Sequence, residues 1–122
     1  MVLVKWCSVM KKVIVVTDGD QQAWRVVCRV AAELGFGFVD TSGGNPTRTA
    51  GYEVERAIAA SPYELVLVLA DDGGAAGVGP GERLIELLAS SAVAEVVAAV
   101  AVASWDRQDP DIRVDRSVTA EG

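Results

Sequence analysis

The run Leu65 to Ala70, LVLVLA, is apolar at every position, and it stops abruptly at two consecutive acids, Asp71 and Asp72, followed by GGAAGVGPGE. With no polar residue on either side of a period-2 alternation, a strand built from this run has both faces covered. That describes a central strand in a parallel sheet flanked by helices. Its carboxyl end is where chemistry is expected, because in open α/β sheets the loops and helix N-termini converge on the crevice beyond the strand ends.

The rest of the chain repeats the scheme. Val13 to Val16 is a second β-branched run, the expected first strand, and it ends in Thr17-Asp18-Gly19-Asp20. From Gln21 the apolar positions Trp24, Val27, Cys28, Ala31 and Ala32 follow helical spacing, with Arg25, Arg29 and Glu33 outward. Asp20 suits the N-cap of that helix and Gly35 its terminator. Phe36 to Val39 reads as a short strand. Thr41 to Thr47 is too rich in turn formers to be anything but a loop. Tyr52 to Ala60 reads as a helix with Val54, Ala57 and Ile58 inward, stopped by Ser61-Pro62. After the glycines, Pro80 suits a first helical position, with Glu82 in the same turn and Leu84, Leu87 and Leu88 inward. A fourth strand falls within 93–102, most plainly Glu95 to Val102, where the alanines also permit helix. In the polar tail, the spacing of Ile112, Val114 and Val118 suggests an edge strand.

Four βα repeats with short connections predict a three-layer α/β/α sandwich on a mostly parallel sheet of four to five strands, in the flavodoxin-like or Rossmann-like order 2-1-3-4. At 122 residues the chain is a single domain over 12–122, preceded by an extra N-terminal segment, 1–11. No run is long enough to cross a bilayer: Val93 to Ala103 is too short and carries Glu95. The net charge of −6 and the lack of a Lys/Arg cluster beyond Lys11-Lys12 argue against nucleic acid as a partner. Cys7 and Cys28 lie too far apart in sequence to suggest a zinc site or a redox pair. There is no His, which removes the commonest general base and transition-metal ligand. Trp6, Trp24 and Trp105 read as packing residues.

In the order 2-1-3-4 the crevice opens between the loops after the first and third strands. That brings Asp18, Asp20, Asp71 and Asp72 to one edge, with Glu82 on the helix beyond. Like charges so gathered raise each other's pKa unless a counter-charge is present, and oxygen-only ligands point to Mg or Ca. Asp18, Asp20, Asp71, Asp72 and Glu82 are therefore the candidate metal ligands. Ser42, Gly43, Asn45 and Thr47 from the second loop, with Gly77 and Gly79 from the third, are the candidate ligand-binding residues, and Arg48 is the nearby cation. Gly73, Gly74, Gly77, Gly79 and Gly81 could present backbone amides to an anion, but their spacing is neither GxGxxG nor a P-loop. The competing reading makes Asp20 a cap, Asp18 and Asp71 solvated strand ends, and the glycines ordinary turns.

VTDGD after the first strand, SGGNPT after the second, DDGGAAGVGPGE after the third and AVAS (Ala101 to Ser104) after the fourth, followed by RVDRSV, resemble the stage V sporulation protein AE family. This is the soluble component of the spore VA operon products. The resemblance runs from about Lys12 to the C-terminus. It implies a protein of spore-forming bacteria, cytoplasmic in the forespore or spore, or peripheral at the inner spore membrane through its partners. Those partners are the membrane proteins of the spore VA complex, which moves dipicolinic acid with its calcium. The resemblance carries over no catalytic residue. Two functions follow as expectations. One is a non-catalytic accessory or regulatory protein of sporulation and germination, whose acidic crevice holds a cation or calcium dipicolinate. The alternative is a magnesium-dependent phosphoryl-transfer or hydrolase domain using the Asp cluster. The absence of His, Cys or Lys from the candidate site favours the first, and a homo-oligomer is compatible with either.

Overall fold

The computed structural model describes residues 10–17, 20–44, 47, 49–71 and 79–101. The elements alternate as expected: β1 (Lys11–Val16), α1 (Gln21–Leu34), β2 (Gly37–Val39), a 3-10 turn (Asp40–Ser42), α2 (Gly51–Ala60), β3 (Leu65–Leu69), α3 (Pro80–Ala89) and β4 (Ala94–Val100). The strand pairs are all parallel.

The α/β class and the adjacency of β1 and β3 are as expected, whereas the lateral order is β2-β3-β1-β4, with the two central strands exchanged relative to 2-1-3-4. The exchange has a physical reason. β1 and β3 are both apolar on both faces, so alternation places each in the middle without ranking them. Hydroxyls in the segment after β2 rank them. Ser42 accepts the Leu69 N–H at 2.9 Å and Thr47 accepts the Asp71 N–H at 2.8 Å, which fastens β2 beside β3.

Alternation along the strands divides the core in two. Val13 and Val15 of β1 and Val66 and Val68 of β3 pack with Val54 and Ile58 of α2 and Leu84 and Leu88 of α3. On the other face Val16, Leu67 and Leu69 pack with Val27 and Ala31 of α1, flanked by Trp24, Phe36 and Phe38. The connection from β1 to β2 runs one way along the sheet and those from β2 and β3 run the other, so crossovers of one hand put α1 on one face and α2 and α3 on the other. Each fully buried Val or Leu contributes about 1.5–3 kcal/mol.

The helix ends follow their sequence signals. The Asp20 carboxylate accepts the Ala23 N–H at 2.7 Å. Gly35 closes α1 in the left-handed region at φ 70°. Pro80 opens α3. Trp24 packs on Phe38 with ring centroids 5.9 Å apart and donates its indole N–H to the Asp40 carbonyl. The fourth strand pairs with β1 from Ala94 to Val100, with an irregularity that leaves Val97 as an extra residue. β1 begins at Lys11, whose N–H donates to the Val93 carbonyl. The strand expected around Ile112, Val114 and Val118, as well as Trp6 and Trp105, lies outside the described residues.

Candidate functional site

The strand adjacency that the expected crevice requires is present. Val16 and Leu69 are register partners, and the Ala70 N–H donates to the Val16 carbonyl at 2.9 Å, so β1 and β3 end side by side. The chain leaves β1 toward α1 on one face and β3 toward α3 on the other. That divergence defines a switch point. The segments beginning at Thr17 and Asp71 thus leave neighbouring strands, whose spacing in a sheet is about 4.8 Å.

The described acids occupy different places around this point. Asp20 is exposed and its carboxylate caps α1. Asp71 is half-buried, directly beyond β3. Glu82 is exposed in the first turn of α3, where a negative charge suits the helix dipole. Among the described residues no three of Asp, Glu and Cys are grouped so as to hold a metal ion. Asp18 and Asp72 lie outside the described residues, as do Asn45, Arg48 and Gly77.

Backbone contacts fix Asp71 more firmly than a solvated strand end requires. Its N–H donates to Thr47 Oγ1 at 2.8 Å, and its carbonyl accepts the Thr47 N–H at 2.9 Å. On its other side stands Gly81, where a Cβ would lie 2.5 Å from the Asp71 nitrogen and 2.7 Å from its carbonyl carbon. Only a glycine lets the first turn of α3 come this close. Gly79, buried, is the N-cap residue of α3.

The segment after β2 faces inward to a degree its composition does not reveal. Ser42 is fully buried, donating its hydroxyl proton to the Val39 carbonyl while accepting from Leu69. Thr47 is 6% exposed. A Cβ on Gly43 would come within 2.7 Å of Trp24 Cδ1, so this glycine admits the indole. Thr49 donates to the Thr41 carbonyl, closing the loop on itself. The hydroxyls of Ser42 and Thr47, expected as ligand donors, accept the backbone N–H groups of Leu69 and Asp71 at the end of β3. Thr17, at the end of β1, turns toward β4, its N–H donating to Val100.

Sequence reasoning grouped Gly81 with the anion-facing glycines and missed its packing role. A signal was available, since a glycine inside a helical turn costs about 1 kcal/mol relative to alanine and therefore marks a close approach. No comparable signal pointed to the pairing of Thr47 with Asp71, which depends on β2 lying next to β3.

The family model for stage V sporulation protein AE1 matches residues 12–122, all but the leading segment. The chain belongs to that family. Each of the strand-end loops described above falls within the matched region, and membership makes this a sporulation-associated protein. No curated protein and no solved structure matches the chain. Among the described residues, no helix is long and apolar enough to cross a membrane.

Proposed function

We propose that this member of the stage V sporulation protein AE1 family is a non-catalytic accessory or regulatory protein of sporulation and spore germination. It acts with the membrane proteins that carry dipicolinic acid, and it binds a divalent cation, magnesium or calcium, or calcium dipicolinate at the crevice between β1 and β3. The family match over residues 12–122 carries this reading. Two further features support it. Both acid-bearing segments start from adjacent parallel strand ends at a switch point. The candidate set of Asp18, Asp20, Asp71, Asp72 and Glu82 offers oxygen ligands alone, which suits a hard cation and provides neither a thiol nor an imidazole for catalysis.

The test has two arms. Tagged protein isolated from sporulating cells should bring down membrane proteins and should partition with the inner spore membrane. Recovery wholly in the soluble fraction without membrane partners would overturn the accessory role. Purified protein titrated with calcium, magnesium or calcium dipicolinate should gain thermal stability, since a ligand that binds only the folded state stabilises it by mass action. An unchanged melting temperature at millimolar concentrations would overturn the ligand site. Turnover of a phosphate ester that disappears in Asp18→Asn would instead identify a magnesium-dependent phosphoryl-transfer or hydrolase domain.

A further inference from the structure

We draw no further inference here: the strongest candidate, the exposed apolar stripe of Val26, Val30 and Leu34 along α1, carries nothing because nothing among the described residues shows what covers it.

Discussion

Thr47 holds Asp71 by both of its backbone groups, receiving the amide proton on Oγ1 at 2.8 Å and giving its own amide proton to the carbonyl at 2.9 Å. One residue of the β2–α2 connection thereby fixes the peptide at which β3 turns into the candidate site. The direction in which Asp71 leaves the sheet follows from a contact 24 residues away in sequence.

Replacing Thr47 with valine keeps the shape and the backbone bond but removes the Oγ1 acceptor. The Asp71 N–H is then left without that partner in a half-buried position, which costs about 1–3 kcal/mol. Thr47→Ser retains the acceptor and should lose less, mainly the burial of a methyl group. Urea denaturation of the two variants measures the difference. Equal losses would show that the hydroxyl contributes nothing beyond packing.

Gly81→Ala reverses a familiar sign. In an exposed helical turn the substitution stabilises by up to about 1 kcal/mol. Here the new Cβ meets the backbone of Asp71 at 2.5–2.9 Å, and no flexible side chain is present to move aside. Overpacking of this kind costs about 1–3 kcal/mol, so the melting temperature should fall. A rise would mean that α3 does not approach the end of β3 as closely as described.

Ser42 bridges Val39 and Leu69 from a fully buried site. In Ser42→Ala the Leu69 N–H loses this partner where water has little access, and the stability loss should reach about 1–3 kcal/mol. Because the lost bond joins the turn after β2 to β3, amide exchange should accelerate at Leu69 more than at Val15. Uniform acceleration would show that the hydroxyl supports the whole fold rather than this one seam.

Helix positions, caps and the two-sided burial of β1 and β3 are legible in the sequence because each rests on local periodicity: Asp20 before Gln21, Gly35 after Leu34, Pro80 ahead of Leu84. The lateral order is not legible locally. Val13 to Val16 and Leu65 to Leu69 present the same apolar alternation, and the hydroxyls that rank them, Ser42 and Thr47, sit among residues whose composition reads as solvated loop. The adjacency of the Thr17 and Asp71 segments was legible because either order of the central pair keeps them neighbours. The inward roles of Gly43 and Gly81 were not, since glycine leaves the same mark in a sequence whether it serves a turn, a ligand or a close approach.

Asp20 can be assigned separately as cap and as cation ligand. Asparagine caps a helix about as well as aspartate does, so Asp20→Asn should preserve the bond to Ala23 and change stability by only a few tenths of a kcal/mol, whereas Asp20→Ala should cost about 0.5–2 kcal/mol. The amide has no negative charge to offer a hard cation. If Asp20 contributes to a calcium site, Asp20→Asn should match the parent protein in metal-free buffer and gain less on saturation, where the parent gains about 2.7 kcal/mol at a hundred times its Kd. Thermal melts with and without calcium compare the two. Equal calcium-dependent gains would confine Asp20 to capping α1 and leave the cation to the remaining candidates, Asp18, Asp71, Asp72 and Glu82.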